Sequence, residues 1–155
     1  MGGPRPPRLL KITTIGSGFP QRTDPNALVI GATGLGLAKN GTLYVADALS
    51  SRIAAIRNAT WRVSSAGTGK TVTSGGALNT PLGLIIAPNG NVLSVNGGNG
   101  LIVETTPAGK QIATKMLDKS GSPPGAGALF GLAVAPNQAG LYYVDDAVNT
   151  LRLLH

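Results

Sequence analysis

Three oxygen-bearing residues recur at the ends of short apolar runs and are the first in this chain that could do chemistry. Asp47 follows Leu43-Tyr44-Val45-Ala46, Asn96 follows Val92-Leu93-Ser94-Val95, and Asp146 follows Tyr142-Tyr143-Val144-Asp145. Oxygen donors at one level of a repeating structure would suit a hard cation. The same side chains at strand ends also bind the backbone of the following turn, and that structural role is the one the spacing favours. Asp145 and Asp146 are neighbours along a strand, so their side chains point to opposite faces and cannot share a site.

Other catalytic chemistry has little to draw on. His155 is the only histidine and Glu104 the only glutamate, and Asp24 and Asp118 complete the carboxylates. A Ser-His-Asp arrangement would have to be built on His155, and a pair of glutamates within one chain is excluded. Glu104 reads as a solvent-facing strand residue. There is no cysteine, hence no thiolate nucleophile, thiolate metal site or disulfide framework. These residues assign no catalytic, cofactor-binding or metal-binding role.

Two glycine-rich stretches imitate phosphate loops. Residues 27–36, Ala-Leu-Val-Ile-Gly-Ala-Thr-Gly-Leu-Gly, resemble the strand and glycine turn of a dinucleotide site. That chemistry needs a helix directly afterwards, and Asn40-Gly41 followed by a strand pattern denies it one. Gly67-Thr68-Gly69-Lys70-Thr71 looks like the end of a phosphate-binding loop, but Ser64 stands where its first glycine belongs and Val-Thr-Ser-Gly-Gly follows. A connecting loop is the better reading.

Of the aromatic residues, Tyr44 and Tyr143 align between units and are expected to fill space between sheets, with Tyr142 beside them. Trp61 has no counterpart elsewhere and lies between Arg57 and Arg62, which makes these three the candidate partner contact; the competing reading is an ordinary outer-strand residue. The net charge is +7, yet the 13 Lys and Arg are dispersed from Arg5 to Arg152, so a nucleic-acid face is only weakly indicated. Asn40-Gly41-Thr42 and Asn58-Ala59-Thr60 fit the glycosylation pattern, which matters only in a eukaryotic secretory setting.

The elements that must position these residues are repeats. The phrase Gly34-Leu35-Gly36-Leu37-Ala38-Lys39-Asn40-Gly41 returns as Gly83-Leu84-Ile85-Ile86-Ala87-Pro88-Asn89-Gly90 and as Gly131-Leu132-Ala133-Val134-Ala135-Pro136-Asn137, with leading glycines 49 and 48 residues apart. Gln138 and Ala139 are extra in the third turn. Each unit reads as a β-meander: a small-and-apolar strand, an Asn-Gly hairpin, then a β-branched and aromatic return strand. Third strands are expected at residues 52–57, 101–106 and 150–155, and fourth strands at about 60–65 and 111–117. Four antiparallel strands in about 48 residues is the size of a propeller blade. The fold class is therefore all-β, with three four-stranded blades in units of about 27–78, 79–126 and 127–155. Residues 1–8 read as a flexible Gly/Pro/Arg-rich terminus and residues 9–15 as an additional strand. With no apolar run long enough for a signal peptide or a membrane span, the chain as given reads as soluble, with no compartment assigned.

The run from Thr33 through Asn40-Gly41-Thr42-Leu43-Tyr44-Val45-Ala46-Asp47 to Ser51-Arg52-Ile53 resembles an NHL repeat, the unit of six-bladed propellers, and the resemblance covers residues 27–155. It implies half of a six-bladed ring. The second unit has Asn96 in place of the aspartate, and the third lacks the Arg-Ile pair in register. The same broad fold includes the lactonases of the senescence-marker and gluconolactonase type, in which calcium ligands stand just before the glycine of the inner strand. The matching positions are Thr33, Leu82 and Phe130, so calcium is expected only if other ligands come from another chain or a missing half.

Three blades leave apolar flanks and sheet edges unpartnered. The expectation is a two-fold dimer closing a ring, or a missing half, with residues 9–15 completing a third blade of the same or a partner chain. The leading functional reading is a noncatalytic scaffold that binds a protein or small ligand. The alternatives are a lactonase-, hydrolase- or lyase-like propeller whose site groups lie outside this chain, and a nucleic-acid-binding NHL domain.

Overall fold

The Asn-Gly turns set the first two hairpins. Ala38 and Ala87 accept from Gly41 and Gly90, whose φ angles of 79° and 87° place them in the left-handed region, while the Asn40 and Asn89 side chains accept from the amides of Thr42 and Asn91. Only the glycine is left-handed; the asparagine contributes as a side-chain cap, giving a longer turn than a two-residue Asn-Gly hairpin. In the third unit, which has two additional residues, the turn contains a short 3-10 element, Pro136–Gln138, capped by Ala139.

The computed structural model describes residues 11–25 and 28–155. A small hairpin, β1 (Arg22–Asp24) and β2 (Leu28–Ile30), precedes three antiparallel meanders. Blade 1 is β3 (Ala32–Leu37), β4 (Leu43–Asp47), β5 (Arg52–Ile56) and β6 (Lys70–Ser74). Blade 2 is β7 (Pro81–Ile86), β8 (Val92–Asn96), β9 (Leu101–Thr105) and β10 (Gln111–Met116). Blade 3 is β11 (Leu129–Val134), β12 (Leu141–Asp145) and β13 (Thr150–Leu154). Each innermost strand carries a bulge around its glycine, at Gly34, Gly83 and Gly131, so these three positions are structurally equivalent.

The blades stack flank to flank. Tyr44, Ala46 and Ile53 of blade 1 pack on Leu84, Val92 and Val103 of blade 2. Val95 and Ile102 of blade 2 pack on Leu129 and Tyr143 of blade 3. The glycines permit this proximity: a Cβ on Gly34 would strike the Leu82 carbonyl oxygen, and one on Gly83 the Phe130 carbonyl oxygen. The chain is thus a run of consecutive β-propeller blades. No helix among the described residues is long and apolar enough to cross a membrane.

Blade 3 has the three strands that its own unit spells out. Three expectations need correction. The fourth strand of blade 1 is Lys70–Ser74; residues 60–65 begin in a 3-10 turn, Ala59–Trp61, because Asn58 turns left-handed after β5. Residues 11–15 join none of the sheets; Ile15 and Phe19 pack beside Val45, Ala54 and Ile56 of blade 1, so this segment lies far from its own third blade. Residues 1–8, 9 and 10 lie outside the described residues. Finally, the hairpin β1–β2 answers to no expected strand pair, since the prolines at 20 and 25 leave only three-residue strands there.

Candidate functional site

The innermost strands β3, β7 and β11 line one open groove of about 870 Å³. Its walls are Thr33, Leu35, Leu82, Phe130 and Leu132, with the bulge glycines between them and Arg22, Asp24 and Asp146 also in the lining. The bulges explain this lining: each turns the residue before its glycine toward the groove. Thr33, Leu82 and Phe130 therefore occupy equivalent places on it. The Thr33 hydroxyl is already engaged, donating to the Leu82 carbonyl at 3.0 Å. Arg22 and Asp24, two residues apart within β1, form an ion pair at 3.9 Å. Such a groove offers apolar contact in its walls and charge in a few polar groups.

The recurrent Asx residues are elsewhere, buried between turns. Asp47 and Asn96 sit opposite Ala32 and Pro81, and the residue with the same partner in blade 3, opposite Leu129, is Asp145. The repeat position assigned to Asp146 thus belongs to Asp145. Backbone pairing decides it: Asp145 points inward and is fully buried, whereas Asp146 starts an exposed 3-10 turn and its side chain lines the groove. The tyrosines shift with it, so Tyr44 corresponds to Tyr142 and not to Tyr143; Tyr143 faces blade 2.

These buried groups tie strands to turns. Asp47 accepts from Arg52 Nε at 2.7 Å, and Asn96 donates to the Ala77 carbonyl at 2.7 Å and to Asn99 Oδ1 at 2.9 Å. Asp145 is ion-paired to Arg152 at 3.3 Å, an arginine two residues into β13 that takes the role Arg52 fills from the first position of β5. Tyr143 beside Arg152 raises the guanidinium pKa, and the Asp145 charge acts in the same direction. Among the described residues no three His, Cys, Asp or Glu gather where they could hold a metal.

Asp118, in the loop joining blades 2 and 3, accepts from the Ser120 hydroxyl and from its amide at 2.7 Å. The hydroxyl bond, the amide bond and the Arg152 charge hold the Asp118 carboxyl below the usual carboxylate range, against the opposing effect of burial. A folded-state value below the unfolded one stabilises above the unfolded pKa and is lost as pH falls through the folded one. The loop at 118–128 is therefore expected to loosen below about pH 4. Ser120→Ala should move the Asp118 midpoint upward in an NMR titration of its carboxyl carbon; an unchanged midpoint would remove the hydroxyl as cause.

Glu104 accepts from the amides of Asn89 at 3.2 Å and Asn91 at 2.6 Å, so it braces the β7–β8 turn instead of standing free in solvent. His155 is exposed at the end of blade 3. Gly67 and Gly69 form a left-handed turn running directly into β6, which leaves no helix for a phosphate. Trp61 is 85% exposed on its 3-10 turn, with Arg57 exposed nearby. The Arg62 guanidinium is occupied by the Ser64 and Arg57 carbonyls at 3.1 and 3.4 Å. The three residues are close together, on a turn and not on an outer strand. Trp61→Ala should change stability by less than about 0.5 kcal/mol in urea denaturation, since the ring buries little surface.

No family model and no curated protein matches the sequence. Solved structures do match the fold. Regucalcin, a calcium-binding protein of Agrobacterium tumefaciens, aligns with a TM-score of 0.58 at 15% identity over 73% of this chain and 37% of its own. A catalytically inactive virginiamycin B lyase from Staphylococcus aureus, solved with quinupristin, aligns at 0.57 and 15% over 78% and 40%. A gluconolactonase of Xanthomonas campestris aligns at 0.53 and 15% over 77% and 36%. The chain spans about two-fifths of the length of each. At this identity the likeness establishes a shared propeller fold.

Proposed function

We propose that these blades form a noncatalytic binding module, built of NHL-type repeats, whose groove takes a small molecule with an apolar body and a polar end. The observation carrying this reading is the composition of the groove. The three equivalent positions that each blade turns toward it hold a hydroxyl already bonded to backbone and two large apolar side chains, Leu82 and Phe130. Apolar walls with a few charged groups suit the binding and orientation of a ligand.

A thermal-shift screen of small metabolites against the chain tests it. Ligands that raise the melting temperature should lose their effect in Phe130→Asp, whose side chain is 39% exposed and so is replaceable without opening the core. Hits that survive that substitution would place binding elsewhere.

The names of the structural neighbours favour one competitor, a calcium-dependent lactonase or a lyase. In this chain such an enzyme would take its ligands, acid and base from blades beyond these three. Hydrolysis of glucono-δ-lactone with calcium present, at a rate above the buffer control, would displace the binding-module reading. Salt-sensitive retention on immobilised RNA would instead favour a nucleic-acid role.

A further inference from the structure

The two ends of the blade stack are complementary, one missing what the other has spare. Along each blade, equivalent positions face the next one: Ala46 and Ile53 in blade 1, both 0% exposed; Val95 and Ile102 in blade 2, at 0% and 6%; Val144 and Leu151 in blade 3, at 38% and 71%. The third pair has the same chemistry, and no further blade among the described residues lies against it. Gly131 repeats the pattern: a Cβ there would meet only Val144 Cγ2 of its own blade, at 3.3 Å, where those of Gly34 and Gly83 would meet the backbone of the next blade. At the other end, Leu35 and Leu37 are 60% and 53% exposed, whereas of their equivalents in blade 2, Leu84 is 4% exposed and Ile86 half-buried against blade 1.

Residues 11–15 supply the second half of the match. The outermost part of each blade lends an apolar side chain to the cluster it shares with the next: Val72 to the one that holds Val92 and Val103, and Leu117 to the one that holds Leu129 and Tyr143. Ile15 does the same for Val45, Ala54 and Ile56 of blade 1. The segment is extended, with Thr13 and Ile15 half-buried and Ile12 and Thr14 exposed, an alternation of period two. Its backbone is anchored at its end, where Ala66 N–H donates to the Ile15 carbonyl and Ser17 N–H to that of Gly67, both at 2.9 Å. It thus stands where the outermost strand of a preceding blade belongs, without that blade. Blade 3 is a blade without its outermost strand, and β13 has an open edge.

We propose that a second copy of this chain fills both gaps. Residues 11–15 of each copy pair antiparallel with the open edge of β13 in the other, and Gly131 of each sits against the backbone before Gly34 of the other. Blade 3 of one copy then covers Leu35 and Leu37 of the next. The two identical contacts close a six-bladed ring about a two-fold axis, so the exposed edges are used up and no open filament forms. The proposal is independent of what the groove binds.

Sedimentation of the 155-residue chain tests it. The expected species is a dimer, with β13 amides protected from hydrogen exchange in the dimer and released on dilution. Gly131→Val places a side chain where the second copy's backbone must come and should weaken the dimer at least about a hundredfold. Leu151→Arg alters a side chain already open to solvent in a single copy, so it should do the same while leaving circular dichroism unchanged. A stable folded monomer at millimolar concentration, or a dimer indifferent to both substitutions, would overturn the proposal. So would open, concentration-dependent polymers, which would show that the flanks meet at an angle that does not close.

Discussion

Gly83→Ala should be strongly destabilising, by at least about 3 kcal/mol. The added methyl would strike the carbonyl oxygen of Phe130, and Val95 Cγ2 would lie 2.9 Å from it on the other side. Both obstacles resist: one is the backbone of blade 3, the other a side chain with no exposure in the core between the blades. Relief requires blade 3 to move away from blade 2, which would open the cluster of Val95, Ile102, Leu129 and Tyr143. Overpacking against side chains costs about 1–3 kcal/mol, and against backbone we expect at least about 3 kcal/mol. Against the roughly 5–15 kcal/mol by which ordinary domains are stable, that is a large share of the reserve. Gly34→Ala should behave alike through Leu82, while Gly131→Ala should cost a single copy no more than about 1 kcal/mol, because only a movable methyl group is near. Urea midpoints for the three variants give the comparison; equal losses at all three would mean that glycine is needed for chain conformation and not for the approach of the next blade.

The second large effect is expected at Asp47. Its carboxylate is fully buried and takes Arg52 Nε at 2.7 Å and the Ser50 amide at 3.4 Å. Arg52 in turn reaches Thr71 Oγ1 at 2.9 Å and the Thr68 carbonyl at 3.1 Å, and its guanidinium lies 5.9 Å from the centre of the Phe19 ring. With its side chain only 12% exposed, that guanidinium has little water to fall back on. Asp47→Ala removes the carboxylate paired with it and should cost about 3–5 kcal/mol. Asp47→Asn should cost clearly less, since blade 2 satisfies the same position with an amide, Asn96. Equal penalties for the alanine and asparagine variants in chemical denaturation would show that charge, not hydrogen-bonding shape, is what the site requires.

Much of this architecture is legible in the linear sequence because a blade is a local object. A glycine-led apolar run, an Asn-Gly turn and a β-branched return strand lie within twenty residues, and their order repeats at nearly constant spacing. Hairpin chemistry therefore locates β3 with β4, β7 with β8, and the third strands at Arg52, Leu101 and Thr150. Where the sequence misleads, competing local signals are equal. Asp145 and Asp146 both suit the end of β12, and only the pairing of Leu129 with Asp145 breaks the tie. Thr-Trp-Arg-Val-Ser-Ser at residues 60–65 has strand composition, but Asn58 at a φ of 53° sends the chain into a 3-10 turn and postpones the outer strand to Lys70. The bracing of the β7–β8 turn by Glu104 has no sequence signal at all, since it depends on which residues of neighbouring strands lie opposite.

What the sequence determined by itself is the repeating unit: its strand periodicity, its turn residues and the glycines that recur once per blade. Those follow from backbone conformation and side-chain volume over a few neighbouring residues. What only the tertiary structure decided is why the glycines are there and which flanks of the described blades are exposed. The carbonyls at Leu82 and Phe130 that bar a Cβ lie nearly fifty residues from the glycines they face, and Val144 and Leu151 are exposed only because no sheet lies beyond them. Contacts between flanks depend on how successive twisted sheets rest on one another, a property of the assembled blades that no single stretch of residues carries.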